Sequence, residues 1–320
     1  MSRAAHMLGA LLLGWSASAS FASSVIPRLL DFAPDSSWTA EGDRVGARFG
    51  SALAPAGDVN GDGYGDLLIG APGVFSGRGQ ATLYLSGPDG LAPTAAWFVQ
   101  GSLAATDFGR SVAPAGDVNG DGFADILVGA AHWADVSDNA GGAFLYLGGA
   151  SGPGAAPNWF AEGEQGESGF GTSLCDAGDV NGDGFRDLLV GAPNYEGPEV
   201  GEGRAYLFLG NASGYAAAPA WSAESNQVGG ALGTIVTSAF DLNADGFDDV
   251  AVSAPGSGLV RVYLGSLAGL PQNPSVEIAR ADPGFARSLA GLGDVNGDGY
   301  ADLAIGAPDF TSGAANEGSV

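Results

Sequence analysis

Short apolar runs recur along the chain, each closed by glycine or by a polar, turn-forming cluster. Leu67-Leu68-Ile69 is one of them; its apolar residues are continuous rather than alternating, the pattern of a strand buried on both faces. Upstream, Phe49 to Ala54 reads as a strand with small residues, Ala52 and Ala54, on one face. Downstream, Ala81 to Leu85 reads as another, and it returns as Ala143–Leu147, Ala205–Leu209 and Leu259–Leu264. Trp38, Trp97, Trp159 and Trp221 each stand 11 residues before the residue that opens the next copy, which marks a further strand there. The pattern thus predicts about four short strands per unit.

The unit is a repeat. FGSALAPAGDVNGDGYGDLLIGAP runs from Phe49 to Pro72, and related segments begin at Phe108, Phe170, Leu232 and Phe285. The first aspartates of the polar loops are Asp58, Asp117, Asp179, Asp241 and Asp294, spaced by 59, 62, 62 and 53 residues. A period of this length with strand-like content means a propeller or a β-solenoid. Four short strands per period make one propeller blade, because radial packing hides the sheet edges. The predicted fold is therefore all-β: a β-propeller of four-stranded antiparallel sheets.

Composition agrees. Of 320 residues, 56 are Gly and 17 Pro, which leaves few stretches that could hold a long helix. Glycine does not fall at every third position, so collagen is excluded. Charge adds a new element. Asp and Glu number 36 against 11 basic residues, all of them Arg. A nucleic-acid partner is excluded, because phosphate binding needs a basic face. Acidity of this kind serves solubility or holds cations, and the positions of the carboxylates decide.

In the first loop Asp58, Asn60, Asp62 and Asp66 occupy positions 1, 3, 5 and 9, and Tyr64 offers its carbonyl at position 7. Hard oxygen donors at alternate positions suit Ca²⁺, and Gly63 at position 6 permits the sharp turn. Mg²⁺ suits the loop less well, since it is smaller and keeps its water. By register the other sets are Asp117, Asn119, Asp121, Phe123 and Asp125; Asp179, Asn181, Asp183, Phe185 and Asp187; Asp241, Asn243, Asp245, Phe247 and Asp249; and Asp294, Asn296, Asp298, Tyr300 and Asp302. An EF-hand is excluded, because position 12 is Ile69 and the flanks read as strands. A metal-free Asp/Asn/Gly turn is the alternative. Three carboxylates in one short loop repel one another, and five such loops call for a compensating cation. The fourth loop is expected to be the weakest, since Ala244 stands where the others have Gly and Asp248 adds an acid.

The opening FG, the closing GAP and the D-x-N-x-D-G-x-x-D between them resemble the FG-GAP repeats of integrin α-chain β-propellers, over roughly residues 36–320. The copies at Leu232 and Phe285 open LG and FA, the fourth ends SAP and the second GAA; none of these departures touches an acidic position. The resemblance implies Ca²⁺ in strand-to-strand hairpins and seven blades, of which five repeats are visible. The third strand of the fifth copy begins at Gly318, and Val320 ends the sequence four residues short of the earlier copies. The propeller, residues 23–320, is therefore expected to be truncated at its C-terminus. A complete five-bladed ring is the alternative, with Val25–Ala33 supplying the absent strand.

Arg3, the apolar stretch Met7–Trp15 and the small residues up to Ala22 predict a signal peptide over residues 1–22. The protein is then exported, to the extracellular space, the cell surface or the periplasm. No later apolar run is long enough to span a membrane. A single cysteine makes no internal disulfide, and Asn211-Ala212-Ser213 is a glycosylation sequon. Catalytic residues are not expected. Beyond the leader, His132 is the only imidazole, Cys175 aligns with Ala54 and Ala113 at a packed strand position, and no G-x-S-x-G motif exists. Paired carboxylates for glycoside chemistry remain open. The segments after each GAP vary most and carry Phe75, Trp133, with His132 beside it, and Tyr195, the candidate ligand contacts. The same rings could instead cap the core. The sequence therefore predicts a secreted, calcium-binding adhesion or recognition module for protein or extracellular-matrix ligands. The alternative is a glycan-binding or accessory module of a secreted hydrolase or lyase.

Overall fold

The computed structural model describes residues 38–102, 105–134, 139–282, 284–311 and 317–320. The expected leader at 1–22 and the segment Val25–Ala33 lie outside the described residues. The chain divides into two compact units, Met1–Thr39 and Ala40–Val320. Only Trp38 and Thr39 of the first are described, and the fold belongs to the second. Among the described residues no helix is long and apolar enough to cross a membrane.

Four antiparallel four-stranded sheets follow one another. The first is Ala52–Gly57, Asp66–Ala71, Gln80–Tyr84 and Trp97–Gln100; the second is Phe108–Gly116, Asp125–Ala130, Gly142–Tyr146 and Trp159–Glu162. The third is Ser173–Gly178, Asp187–Ala192, Arg204–Phe208 and Trp221–Glu224; the fourth is Val236–Phe240, Asp249–Ala254, Leu259–Tyr263 and Val276–Ala279. A fifth sheet pairs Ser288–Gly293 with Asp302–Gly306, and an Ala307–Ser319 bridge starts its next strand. Strand order in each full sheet is sequence order, and the first strands of consecutive sheets adjoin. These are propeller blades. The second strands of sheets two to four are buried along their whole length, as their continuous apolar runs require.

Several boundaries differ from the sequence reading; the third strands end one residue earlier than read, as in Gln80–Tyr84 against Ala81–Leu85. The first strand begins at Ala52, not Phe49, whereas its equivalent in the second copy begins at Phe108. The tryptophan strand that precedes each copy completes the sheet of the copy before it: Trp97 pairs with Leu83, and Trp221 with Leu207. A local antiparallel hairpin closes at small entropic cost, so the strand joins the sheet just finished. Its indole then reaches forward. Trp97 Nε1 donates to Gly154 O (2.9 Å), Trp159 Nε1 to Ala216 O (3.1 Å) and Trp221 Nε1 to Pro271 O (2.8 Å). Each indole also meets an aromatic of the next sheet edge-on: Trp97 on Tyr146, Trp159 on Phe208, Trp221 on Tyr263.

The core lies between sheets rather than within them. Ala54, Leu68 and Leu83 of the first sheet pack with Ile126, Val128 and Phe144 of the second, and equivalent clusters follow at the next junctions. The repeat signature is the contact itself. Phe108 and Phe170 of FG are buried, and they bridge to Gly79 and Gly141 of the preceding copy. The Gly of GAP lies under the carbonyl of the next FG glycine: Gly70 under Gly109, Gly129 under Gly171, Gly191 under Gly233. No methyl group fits between them. At the last junction both glycines are lost together, to Ser253 and to Ala286, which keeps a left-handed φ of 65°.

Gly191→Ala forces a methyl group into the Gly233 carbonyl and Ser173 Oγ, an overpacking that should cost roughly 1–3 kcal/mol. Gly149→Ala meets only ordinary contact at 3.9 Å and should stay within about 0.5 kcal/mol of the parent. Denaturant unfolding of the two variants checks the contrast.

Candidate metal centre

Each acidic loop is the hairpin between the first and second strands of its sheet. In the first, Asp58 accepts from the N–H of Asp62 (2.9 Å) and of Gly63 (2.7 Å). Asn60 Oδ1 accepts from the same Asp62 N–H (3.2 Å), and Asn60 Nδ2 donates to Asp62 Oδ2 (2.9 Å). Asp62 Oδ1 accepts from Tyr64 N–H (3.0 Å). The same bonds form at Asp117, Asn119 and Asp121; at Asp179, Asn181 and Asp183; at Asp241, Asn243 and Asp245; and at Asp294, Asn296 and Asp298. Position 7 follows in each, with the N–H of Phe123, Phe185, Phe247 and Tyr300 tied to the position 5 carboxylate. Backbone N–H groups thus hold the residues of positions 1, 3 and 5 together at the exposed tip. Around Asp294 they lower the carboxyl's pKa.

The turn needs left-handed backbone at two places. Position 6 has φ of 90–91° in all five loops and is always Gly. Position 4 has φ of 73–77° at Gly61, Gly120, Gly182 and Gly297, and Ala244 is held at 58° in the fourth loop. That loop carries a second such residue: Phe240 has φ 55° where the other copies place a Gly before the first Asp. Each costs about 1–2 kcal/mol relative to Gly.

The structure separates position 9 from the tip. Asp66, Asp125, Asp187 and Asp249 are buried at the root of the hairpin. Each spends both oxygens on backbone N–H groups. Asp187 accepts from Val180 (3.0 Å) and Gly210 (2.8 Å), and Asp125 from Val118 (2.9 Å) and Gly148 (2.8 Å). Asp66 and Asp249 make the equivalent pairs with Val59 and Ser86, and with Leu242 and Gly265. Burial outweighs these bonds and pushes Asp125 and Asp249 up to about 6 and Asp187 up to about 7. Asp302, in the two-stranded fifth sheet, accepts from Val295 N–H (3.0 Å) and is only half-buried.

Neighbouring loops are also tied together. Asp58 O accepts from Ala124 N–H (2.9 Å), Asp179 O from Asp248 N–H (3.1 Å) and Asp241 O from Ala301 N–H (3.1 Å). The extra acid Asp248 accepts from Asp179 N–H (2.9 Å), so it bridges the fourth loop to the third. Between the second and third loops the Arg186 side chain lies over Gly116 and donates to Asp176 (2.6 Å).

The donors at each tip are all hard oxygens, the set that Ca²⁺ takes. Among the described residues no three Asp, Glu, His or Cys side chains converge into a finished cage. A bound ion would draw its remaining ligands from backbone oxygen and water.

The candidate ligand contacts sit on separate sheets. Phe75 is 39% exposed, with the Arg44 guanidinium 4.0 Å above its ring. His132 Nδ1 stands 3.4 Å from Asp107 Oδ2. Trp133 packs edge-on against Phe144 at 4.9 Å, and its indole nitrogen is buried without a partner. Tyr195 lies under the Arg204 guanidinium at 3.9 Å. Burial pushes the Cys175 thiol pKa well up, away from nucleophilic thiolate.

Removing Asp187 strands two backbone N–H groups at the hairpin root, at about 1–3 kcal/mol each. Asp187→Ala should therefore destabilise by about 3 kcal/mol or more even in EDTA, whereas Asp183→Ala in EDTA should cost under about 1 kcal/mol. Equal losses in urea unfolding would contradict the division between root and tip.

The sequence pattern of the FG-GAP repeat matches residues 49–84, 108–146, 170–208, 232–268 and 285–320, more than half of the chain. The chain is 40% identical to mouse integrin alpha-IIb over 159 residues, which is 45% of this chain and 15% of that protein. It is 33% identical to rat integrin alpha-7 over 257 residues, 75% of this chain and 22% of that one. It therefore spans less than a quarter of the length of these relatives. Among solved structures, a candidate 6-phosphogluconolactonase from Bacteroides uniformis superposes with a TM-score of 0.51 at 13% identity, covering 81% of this chain and 67% of that one. That likeness concerns the fold alone. With all five matched segments coinciding with the five sheets and their acidic hairpins, the chain belongs to the FG-GAP repeat family.

Proposed function

We propose that the chain is an exported recognition module that binds Ca²⁺ at its five hairpins and presents its variable loops to a protein or matrix ligand. The single observation that carries the reading is the fivefold recurrence of one hydrogen-bonded acidic tip on a family scaffold shared with integrin alpha chains. Residues 1–22 supply the export signal. Cation binding relieves the repulsion of the tip carboxylates. At ~1 mM Ca²⁺ and a dissociation constant near 10⁻⁴ M, each site would contribute about 1.4 kcal/mol. The fourth site contributes least, because Phe240 and Ala244 already strain its backbone.

The module binds rather than catalyses. Its one imidazole outside the leader is engaged with Asp107, and its one thiol is held protonated. Recognition falls to the loops after each GAP, carried on the four-stranded sheets. Phe75 and His132 present the most exposed groups, while Trp133 and Tyr195 brace the loops from beneath.

Attachment of the purified chain to immobilised matrix proteins and to cells, with melting followed in parallel, tests the reading. Ca²⁺ should raise the melting temperature and EDTA lower it. Phe75→Ala with His132→Ala should keep the Ca²⁺-dependent melt and weaken attachment severalfold. A melt indifferent to EDTA contradicts the cation sites, and undiminished attachment contradicts the loop face.

A further inference from the structure

Open grooves are lined by the third and fourth strands of successive sheets, and they can be compared position by position. In the first, second and fourth sheets the middle residue of the third strand lines a groove together with its cross-strand partner on the fourth strand, while in the third sheet Tyr206 lines one groove and its partner Ser222 the next. These pairs are Thr82 with Phe98, Phe144 with Phe160, Tyr206 with Ser222, and Arg261 with Glu277. The turn ahead of the fourth strand adds a wall, which reads Ala155-Ala156-Pro157 in the second sheet and Ala217-Ala218-Pro219 in the third. In the fourth sheet the same turn reads Gln272-Asn273-Pro274. The groove between the third and fourth sheets has thus exchanged apolar groups for polar ones at several equivalent places. It encloses about 780 Å³, a volume suited to a small ligand.

Its chemistry narrows the ligand. Arg261 is 9% exposed, and its guanidinium is already committed: Nε to Glu277 Oε1 (2.8 Å), Nη1 to Glu224 O (2.6 Å) and Nη2 to Ser225 O (3.1 Å). It has little left to clamp an anion, and Glu224 and Glu277 line the same groove and repel one. A cation gains little either, because Arg261 neutralises Glu277 and Arg204 neutralises Glu224. The remaining groups are the Asn226, Gln272 and Asn273 amides and the Ser222 hydroxyl. The buried Tyr263 hydroxyl stands behind them, beside Arg261. Amides and hydroxyls both donate and accept, as do the hydroxyl groups of a sugar.

We propose that this groove between the third and fourth sheets binds a neutral oligosaccharide, with Gln272, Asn273 and Asn226 as the contacts that select it. The site shares no residue with the acidic hairpins or with the loop face, so it stands or falls apart from the function proposed above.

The test titrates the full chain with cello-, manno-, xylo- and galacto-pentaose by calorimetry, with an acidic oligogalacturonide and an unstructured Gly/Ser peptide as comparisons. At least one neutral pentaose should bind. Gln272→Ala with Asn273→Ala installs the Ala-Ala-Pro turn that two other sheets already carry, so the variant should fold, and its affinity should fall about tenfold or more. Asn273→Ala alone serves if the double variant does not fold. Phe75→Ala with His132→Ala should bind the pentaose as the parent does, even if that pair abolishes attachment. No binding of any neutral pentaose at ~10 mM, undiminished binding by the groove variant, or a preference for the acidic sugar or the peptide would each overturn the proposal.

Discussion

Among the described residues the core lies between sheets, and each of the first three sheets is completed by the next at a junction closed by a glycine against a carbonyl. Gly70, Gly129 and Gly191 lie beneath Gly109, Gly171 and Gly233 with no space for a methyl group. That close approach lets the buried Phe108 and Phe170 and the forward-reaching tryptophans meet their partners across the gap. Stability in such an array depends on neighbour contacts more than on any single unit. The junction between the fourth and fifth copies replaces both glycines, and it is also where the left-handed Ala286 stores strain.

The hairpins inherit this order. Position 9 is the root that joins the hairpin to the far end of the third strand, and positions 1, 3 and 5 form the tip, while the valine at position 2 of the first three loops is buried. Bonds from position 8 of one loop to position 1 of the loop before it run parallel to the glycine contacts. A charge change at one tip is therefore felt by the neighbouring loop. At the third sheet this pattern is replaced by the Arg186–Asp176 pair, and at the fourth it is reinforced by Asp248.

Much of this was legible in the sequence. The continuous run Leu67-Leu68-Ile69 marked a buried strand, and Asp66–Ala71 is buried except at Leu67; the spacing of the acids marked one hairpin per sheet. Ala244 stands out in the sequence in place of a loop glycine, and the structure holds it at a left-handed φ of 58°. Other features carried no local signal. Periodicity shows that Trp97 opens a strand but not which sheet receives it, since that depends on pairing with Leu83. The ninth-position aspartates are chemically the same as those at the tip, and only burial by the third strand distinguishes them. Phe240 could have been found by aligning the copies one residue further upstream, where every other copy has Gly. The polar groove at Arg261 needed the cross-strand register, which no single repeat reveals.

The most direct measurement is hydrogen exchange of the whole chain with and without Ca²⁺, resolved to the hairpins. If the ion seats at tips that are bonded from loop to loop, exchange should slow at Asp58–Asp66 and its four counterparts. It should slow as well at the linking N–H groups of Ala124, Asp248 and Ala301, with the smallest change within Asp241–Asp249. Identical exchange in Ca²⁺ and in EDTA at all five hairpins would contradict the account.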